Sequence, residues 1–473
     1  MNEEKLHIHL IGIGGSGMSG LASILLDLGY KISGSDITSS KITKRLADKG
    51  AAIFNGHNEN NIEGADLIVI SSAIPESNPE IRGAMEKDIK VIKRAEMLAK
   101  IMENRYGIAI AGTHGKTTTT SMISLLLEKS GFDPTVIVGG EVNSIQGNAK
   151  LGFGRYVVAE ADESDGSFLK LKPSLGVVTN IEDDHLDHYK NLENVLKDFK
   201  KFVNRIPDNG NVILCKDCEN VRRLIKDYKK KYITYGISLD ADIMAKEIEL
   251  NKLNSKSQIY WQNKKMGGLC LNVAGYHNIL NALAAIAVAK EVGMNFIEIA
   301  EILEGYQGVQ RRMEIVINID DEILIMDDYA HHPTEIKVTL SAIRQSWRNR
   351  RIIVIFQPHR YTRTKLLAEK FGKVFFDADR VIVNDVYAAN EQPIIGISGK
   401  TIFNEIEKAS HSHIKYIPSK NNTLNYLYEI IQSGDIIITM GAGDIWTIGQ
   451  ELAKQLKKTK VSQFIKNEYK YHK

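Results

Sequence analysis

Residues 108–120 read Ile-Ala-Ile-Ala-Gly-Thr-His-Gly-Lys-Thr-Thr-Thr-Thr. A short apolar run leads into a loop bounded by glycines, and a lysine and several hydroxyl residues then begin an apolar helix. In such a loop the backbone N–H groups and the helix N-terminus face an anion, Lys116 reaches the terminal phosphates and the Thr117 hydroxyl can bind Mg²⁺. The stretch therefore predicts a site for a nucleoside triphosphate.

This loop departs from the general phosphate-binding pattern at one position. The pattern G-x-x-x-x-G-K-[ST] places its first glycine where this chain has Ile110. The alternative interpretation is a strand-to-helix turn with an exposed lysine. We favour the nucleotide site because strand, loop, Lys-Thr pair and helix follow one another in the required order.

The bulk composition bounds the class of protein. A chain of 473 residues is too long for one core, so two to four domains are expected. With 61 basic and 58 acidic residues the net charge is only +3, which argues against a general binder of nucleic acid. Lysines concentrate at residues 454–473, which we interpret as a solvated tail.

Cysteine usage and the N-terminus predict a cytoplasmic protein. Three cysteines in a chain of this size form no disulfide framework, which indicates a reducing compartment. The C-x-x-C of Cys215 and Cys218 has no second pair or histidine near it, so we assign it no metal. The N-terminus has no signal-peptide pattern, and no apolar run reaches the about 18 residues of a membrane span.

The front of the chain carries a second phosphate-binding pattern. A strand over residues 6–11 runs into Gly-Ile-Gly-Gly-Ser-Gly, and an apolar helix follows, as in a Rossmann domain. The next strand ends at Asp36, near the position of a ribose-binding acid. Ser71 and Ser72 follow the strand at residues 67–70, where base or sugar contacts are expected. A dinucleotide or a nucleotide sugar would satisfy this pattern.

Two acidic clusters follow consecutive strands after the nucleotide loop. Residues 160–165 come after a strand at 156–159, and residues 180–188 after a strand at 175–179. Mg²⁺ bridges phosphates to protein oxygens, and its ligands are needed at strand ends beside such a loop. Solvated loops are the alternative interpretation of each cluster, but two in succession favour a metal site.

The last third of the chain combines an Asn-containing helix start with two groups of His and Arg residues. Asn278 and Asn281 offer donor and acceptor groups suited to an adenine edge, although Asn at a helix start is also a common cap. Residues 327–333 and 357–363 end two strands, and their His and Arg side chains suit a carboxylate or phosphate.

These patterns together predict an α/β protein of three consecutive domains. They are an N-terminal Rossmann-like domain (1–103), a central P-loop ATPase-like domain (104–311) and a C-terminal Rossmann-like domain (312–473). ATP, a diphosphate-bearing substrate and a carboxylate site suggest an ATP-driven ligation. Phosphoryl transfer turns a carboxylate, which is a poor electrophile, into an acyl phosphate.

The set of motifs, in this order, resembles the Mur ligase family. The matching motifs occupy residues 12–20, 112–118, 160–165, 180–185, 277–281, 328–333 and 357–364. The resemblance extends from about residue 6 to residue 445 and is closest to the alanine-adding branch. It implies ATP-dependent, Mg²⁺-requiring ligation of L-alanine to the carboxylate of UDP-N-acetylmuramate for peptidoglycan synthesis. We expect a monomer or a weak homodimer.

The resemblance and the patterns together assign the site residues. The catalytic residues are Lys116, Glu160, His185 and Arg312, and the metal ligands are Thr117, Glu160 and His185. The ATP-binding residues are Gly112, Thr113, His114, Gly115, Lys116, Thr117, Thr118, His277, Asn278, Asn281, Arg312 and Asp328. The UDP-sugar-binding residues are Gly12, Gly14, Gly15, Ser16, Gly17, Met18, Asp36, Ser71 and Ser72. The amino-acid-binding residues are Tyr329, His331, His359, Arg360 and Arg363.

Two departures and three alternatives accompany this hypothesis. Asp183 stands where relatives often carry proline, and we assign no carbamylated lysine among Lys197, Lys200 and Lys201. One alternative is another ligase of the same family, such as one that recycles a murein tripeptide. The others are a nicotinamide-dependent oxidoreductase, suggested by the first glycine motif alone, and a nucleotide-regulated binding protein without catalysis.

Overall fold

Three β-sheets follow one another along the chain, each built around buried parallel strands. The computed structural model describes residues 5–71, 73–142, 145, 147–319, 322–389 and 391–459. Apolar runs such as Ile-Ile-Val-Ile-Phe at Ile352–Phe356 are buried at every position. Such runs are typical of parallel strands that helices cover on both faces.

The first sheet contains five parallel strands in the order β3-β2-β1-β4-β5. Its strands are β1 His7–Ile11, β2 Lys31–Asp36, β3 Ala52–Asn55, β4 Leu67–Ile70 and β5 Lys90–Lys93. Its helices are α1 Ser16–Asp27, α2 Lys41–Asp48, α3 Pro79–Glu86 and α4 Arg94–Met102, with a 3₁₀ helix at Glu59–Ile62. Ile8 and Leu10 pack into one core and Ile11 into another, because side chains of a strand alternate between its faces.

The second sheet contains ten strands in the order β15-β14-β13-β12-β11-β10-β6-β9-β7-β8. These strands are β6 Tyr106–Ala111, β7 Thr135–Val142, β8 Gly147–Lys150, β9 Tyr156–Glu160, β10 Leu175–Val178, β11 Asn211–Cys215, β12 Tyr232–Gly236, β13 Ile243–Asn251, β14 Asn254–Trp261 and β15 Lys264–Leu271. The helices that accompany them are α5 Lys116–Lys129, α6 Leu186–Tyr189, α7 Leu192–Asn204, α8 Glu219–Asp227, α9 Tyr276–Glu291 and α10 Phe296–Glu304, with a 3₁₀ helix at Ser167–Lys170. Strands β6 and β10 are parallel neighbours, so their carboxyl ends meet at one edge.

The third sheet contains six strands in the order β16-β17-β21-β18-β19-β20, and only the edge pair β16 and β17 is antiparallel among those described. Its strands are β16 Glu314–Ile319, β17 Ile323–Asp328, β18 Ile352–Phe356, β19 Arg380–Val383, β20 Ile414–Tyr416 and β21 Ile436–Met440. Its helices are α11 Pro333–Ser346, α12 Tyr361–Leu366, α13 Ala368–Gly372, α14 Gly399–Lys408, α15 Lys420–Ile430 and α16 Trp446–Thr459. Two hydrophobic cores cover its two faces.

The chain forms two compact units. The first contains the first sheet and most of the second, and comprises Met1–Ile248, Lys256–Asn272 and Asn278–Val309. The second contains the third sheet and comprises Glu249–Ser255, Val273–His277 and Gln310–Lys473. The predicted division after residue 311 lies close to the start of the second unit at Gln310, whereas the one after residue 103 falls inside the first unit.

None of the helices in the described part of the chain combines the length and the apolar character needed to cross a bilayer.

The aromatic core below the second sheet provides a test of the fold. Phe199 is 0% exposed and lies 5.3 Å from Phe168, ring centroid to ring centroid. We expect Phe199→Ala to lower the free energy of unfolding by about 3–5 kcal/mol, because it leaves a cavity in a packed core.

The matched control is Phe153→Ala, since Phe153 is 85% exposed. We expect it to change the free energy of unfolding by less than about 0.5 kcal/mol. Urea unfolding followed by circular dichroism measures both. Equal losses for the two variants would contradict this description of the core.

Candidate functional site

The predicted nucleotide loop lies between β6 and α5, and two of its residues can only be glycine. Gly112 has a φ of +138°, and a Cβ there would lie 2.0 Å from the Thr179 hydroxyl oxygen. Gly115 has a φ of +81°, and a Cβ there would lie 2.5 Å from Asn281 Oδ1. Any larger residue would clash at either position and strain the backbone.

The same geometry explains the departure at Ile110. Ile110 is fully buried and pairs with Glu160 of β9, so it is still a strand residue and the loop begins only at Gly112. The missing first glycine of the general pattern therefore reflects a shorter loop.

The end of β10 holds the loop in place. The Thr113 amide donates to the Asn180 carbonyl at 3.1 Å, and the His114 amide donates to Asn180 Oδ1 at 2.8 Å. The Thr179 hydroxyl and Asn180 Nδ2 both donate to the His114 carbonyl, at 2.6 and 3.0 Å. Thr179 and Asn180, which follow β10, thus fix both N–H and carbonyl groups of the loop backbone.

Lys116, the first residue of α5, is a charged group at the mouth of this loop. Its Nζ donates to the carbonyls of Gly112 and Thr113 and to Glu163 Oε1, the last at 2.9 Å. Burial alone would lower the pKa of Lys116, but the charges of Glu163, Asp162 and Glu160 raise it above the ordinary value. The side chain therefore stays protonated and available to an anionic phosphate.

The side chains of Thr117 and Glu160 lie together and could both be ligands of a divalent cation. Burial raises the pKa of the Glu160 carboxyl group, while hydrogen bonds from the Gly139 amide and the Thr117 hydroxyl oppose that rise. Its Oε1 is buried and has no hydrogen-bond partner in the part of the chain that the structure describes. A hydroxyl beside a buried carboxylate oxygen with unused lone pairs is a donor set that suits Mg²⁺.

His185, the third predicted metal ligand, lies beside two other carboxylates. Its Nε2 is 3.7 Å from Asp184 Oδ2 and 4.0 Å from Glu163 Oε1. Glu163 also pairs with Lys116, is 2% exposed and has a pKa that burial raises above its usual value. The sequence identified Glu163 only as one of the acidic residues at 160–165. The structure shows that its carboxylate lies between the side chains of Lys116 and His185.

The predicted adenine residues Asn278 and Asn281 are buried on α9 and support the loop. Asn281 Oδ1 accepts from the Thr119 hydroxyl at 3.2 Å, and its Nδ2 donates to Asn278 Oδ1 at 3.3 Å. Asn281 also lies against Gly115. Thr118, like Thr119, is a buried residue in the first turns of α5. Contact with adenine remains a prediction for the asparagines.

The predicted UDP-sugar loop lies between β1 and α1 in the same compact unit. The Gly12 and Ile13 amides donate to the Ser35 carbonyl at 2.9 and 3.1 Å, and the Gly14 amide donates to Asp36 Oδ2 at 2.9 Å. Asp36 therefore holds the glycine loop through this hydrogen bond. The distance of Asp36 from the glycine motif in the sequence predicted a contact with ribose and not this role. Its contact with a ribose remains a prediction.

The other predicted residues of this loop differ in what they can offer a ligand. Gly15 precedes α1, Ser16 begins it and Gly17 lies in its first turn, where backbone N–H groups are available. The Met18 side chain is 2% exposed and packs in the core, so only its backbone can face a ligand. The Ser71 hydroxyl accepts from the Ala73 amide at 3.3 Å, and Ser72 lies outside the described residues.

Arg94 is a residue of this site that sequence reasoning missed. It begins α4, and its Nη1 would lie 2.6 Å from a Cβ on Gly17, so it packs against the first turn of α1. Its Nη2 lies 3.2 Å from Asp162 Oδ2 in the acidic cluster. The residue links the glycine loop to the acidic cluster beside Lys116. A basic residue before a helical run carries no signal that would have identified it.

In the second compact unit, the partly buried Arg312 lies near the buried Asp328. Arg312 Nη1 lies 3.2 Å from Glu335 Oε1, and the Asp328 carboxylate accepts from the Met313 and Ala330 amides, both at 2.7 Å. Burial raises the pKa of Asp328 to about 6, against the opposing charge of Arg312. His277, also in this unit, has its pKa lowered to about 4 by burial and by Arg312. Contact of these residues with ATP remains a prediction.

Four of the five predicted amino-acid residues form one chain of contacts in this unit. The ring of His331 lies 5.3 Å from Tyr329 and 5.8 Å from His359, and Arg363 Nη1 lies 3.4 Å from His359 Nδ1. The structure adds Tyr387, which stacks on His359 at 5.7 Å.

Arg360, the fifth residue of that prediction, precedes α12 with a φ of +69°, and its amide donates to the Tyr387 carbonyl at 2.8 Å. The two motifs at 327–333 and 357–363 are thus brought together by the parallel strands β17, β21 and β18. Their role in binding an amino acid remains a prediction.

Three family models match the chain in succession. They are the Mur ligase family catalytic domain at residues 7–106, the Mur ligase middle domain at residues 110–289 and the Mur ligase glutamate ligase domain at residues 311–443.

Individual relatives match nearly the whole chain. A protein of Syntrophotalea carbinolica named UDP-N-acetylmuramate–L-alanine ligase is 49% identical over 449 residues, which cover 95% of this chain and 98% of that protein. A protein of the same name from Desulfosudis oleivorans is also 49% identical, over 94% of this chain and 97% of that protein.

Solved structures agree with this match. The UDP-N-acetylmuramate–alanine ligase of Thermotoga maritima superposes with a TM-score of 0.81 at 30% identity, covering 96% of this chain and all of that one. A murein peptide ligase of Psychrobacter arcticus gives 0.71 at 25% identity, covering 95% and 98%. The predicted α/β fold of three consecutive domains is confirmed, and the chain belongs to the Mur ligase family.

Proposed function

We propose that the chain is an ATP-dependent ligase that joins L-alanine to the carboxylate of UDP-N-acetylmuramate in the synthesis of peptidoglycan precursors. The observation that supports this function most directly is the nucleotide loop itself. Lys116 lies charged at its mouth, and Glu160 carries a buried oxygen without a partner, in the described residues, beside Thr117. The same compact unit holds a second glycine loop for a diphosphate.

The chemistry has two steps. A carboxylate oxygen of the muramyl group attacks the γ-phosphorus of ATP, the bond to the bridging oxygen breaks, and an acyl phosphate and ADP result. The amine of L-alanine then attacks the acyl carbon, inorganic phosphate leaves with the electron pair of the C–O bond, and the nitrogen loses its proton. An amide, ADP and phosphate are the products.

The residues of the nucleotide loop provide the charges that the first step needs. Lys116 would neutralise the terminal phosphates, and Arg312 is a second cation that the family resemblance assigns to ATP. Thr117 and Glu160 would hold one Mg²⁺, and His185 would help to hold a second; bound Mg²⁺ offsets the negative charge of phosphate oxygens. The first N–H groups of α5, which follows a loop that Asn180 fixes, would orient the phosphates.

The aromatic and basic cluster of the second unit suits the incoming amino acid. Arg363 is largely buried beside His359, and an arginine in such a position can pair with the carboxylate of L-alanine. Tyr329 and His331 line the same group of contacts. Because these side chains lie close together, the shape of the space among them can select the amino acid that binds.

A second candidate is a ligase that recycles a murein peptide. The likeness to the murein peptide ligase of Psychrobacter arcticus favours it, although at lower identity than the alanine ligases. A nicotinamide-dependent oxidoreductase was suggested only by the first glycine motif, and membership of the Mur ligase family accounts for that motif.

A substrate panel separates the two ligases. We expect continued release of ADP and phosphate only when UDP-N-acetylmuramate and L-alanine are both present, because the acyl phosphate must react with the amine before the next turnover begins. A coupled assay for ADP, with each substrate omitted in turn, measures this. Equal turnover with the free murein tripeptide in place of L-alanine would move the chain to the recycling ligases.

Replacement of Lys116 separates the two phosphate sites. We expect Lys116→Ala to lower kcat at least about a hundredfold, because it removes a cation that stabilises charge during phosphoryl transfer. Binding of UDP-N-acetylmuramate, measured by calorimetry, should stay unchanged because its loop lies between β1 and α1.

The control is Lys129→Ala, which removes an exposed lysine from the other end of the same helix and should leave kcat unchanged. Simultaneous loss of ligation and UDP-sugar binding in Lys116→Ala would show that the two sites are assigned wrongly.

A further inference from the structure

A buried carboxylate lies behind the UDP-sugar loop and takes no part in the chemistry described above. Glu80 of α3 is 0% exposed. Its Oε2 accepts from the Ser35 hydroxyl at 2.6 Å and lies 2.9 Å from His57 Nδ1, and its Oε1 accepts from Asn61 Nδ2 at 2.7 Å. His9 Nε2, also fully buried, is 3.6 Å from Oε1. Residues from two strands, a 3₁₀ helix and a loop therefore converge on one side chain.

Glu80 is charged at neutral pH. Burial by itself would raise its pKa, but the neighbouring His9, Ser35 and Asn61 overcome that effect and lower the pKa to about 2. A buried charge is costly unless polar groups surround it, and removing one partner from such a group leaves the others unsatisfied. The carboxylate therefore fixes the positions of the groups that contact it.

One of those groups also holds the glycine loop. Ser35 uses its hydroxyl for Glu80, and its carbonyl accepts from the amides of Gly12 and Ile13 at 2.9 and 3.1 Å. The next residue, Asp36, accepts from the Gly14 amide at 2.9 Å. The position of the last residues of β2 thus determines the orientation of the loop amides. Glu80, through its contact with Ser35, holds those last residues in position.

We propose that Glu80 is a positioning residue of the UDP-sugar site, acting through Ser35 to orient the glycine loop that binds the diphosphate. This inference rests on the proposed function. Amides that bind a phosphate must be held to within a fraction of an ångström, so a shift at Ser35 weakens binding without removing any group that touches the ligand. Glu80 itself touches neither substrate nor nucleotide.

The variant Glu80→Gln tests this, because it keeps the size of the side chain and removes its charge. We expect the Kd for UDP-N-acetylmuramate, measured by calorimetry, to rise about tenfold, by analogy with residues that orient metal ligands, whose replacement weakens binding by about 10–100-fold. The Kd for ADP and kcat at saturating UDP-N-acetylmuramate should stay unchanged. A role in folding alone would not separate these three quantities.

The matched control is Glu59→Gln, the same chemical change at an exposed glutamate of the 3₁₀ helix in the same sheet domain. It should leave all three quantities at the wild-type value.

A second variant keeps the inference testable if Glu80→Gln does not fold. Ser35→Ala removes only the hydroxyl that contacts Glu80 and leaves the carbonyl that holds the loop. We expect the same selective rise in the Kd for UDP-N-acetylmuramate. Where both single variants fold, the double variant should bind no more weakly than Glu80→Gln, since both changes break one connection.

The outcomes separate this inference from the function on which it depends. Wild-type affinity for UDP-N-acetylmuramate in a folded Glu80→Gln or Ser35→Ala variant overturns the role of Glu80 and leaves the ligase function standing. An equal rise in the Kd for ADP also overturns it, because the effect would then be general. Failure of the wild-type protein itself to bind UDP-N-acetylmuramate overturns the proposed function together with the inference.

Discussion

The close approach of the β10 strand end to the loop between β6 and α5 is the constraint on which the site depends. Thr179 lies so near Gly112 that no side chain fits there, and Asn180 bonds the amides and carbonyls of the loop. This contact fixes the strand-to-helix connection that leads into the N-terminus of α5, where an anion is predicted to bind. Lys116 and Thr117 take their positions from the helix that the loop begins.

Charged side chains of opposite sign lie close together around that loop. Asp162 lies between Arg94, which packs on the glycine loop of the front sheet, and Lys116 of the nucleotide loop. Burial alone would raise the pKa of Asp162, but these two cations lower it below the ordinary value. Phosphates bound at either loop would meet a cation that an acidic side chain already holds in place. The two loops therefore share one electrostatic environment within the first compact unit.

Local sequence patterns predicted the structure where the conformation depends on a single helix, strand or loop. Glycines between an apolar strand and an apolar helix predicted the two strand-to-helix loops that the structure contains, whereas the ligands of these loops remain predictions. Residues whose function depends on a distant partner escaped prediction. Arg94 and Glu80 sit in ordinary helices, and what distinguishes them is contact with Asp162 and with Ser35, far away in the chain.

By itself the sequence determined the order of the three α/β sheets, the two glycine loops and the family to which the chain belongs. These follow from hydrophobic periodicity, glycine placement and motif order, which are local properties of the chain. Tertiary structure alone decided that Asp36 holds Gly14, that Glu163 lies between Lys116 and His185, and that Glu80 is buried behind a binding loop. A side chain's partner depends on which strand ends meet at a sheet edge. The spacing of residues in the sequence does not say which strands become neighbours in the sheet.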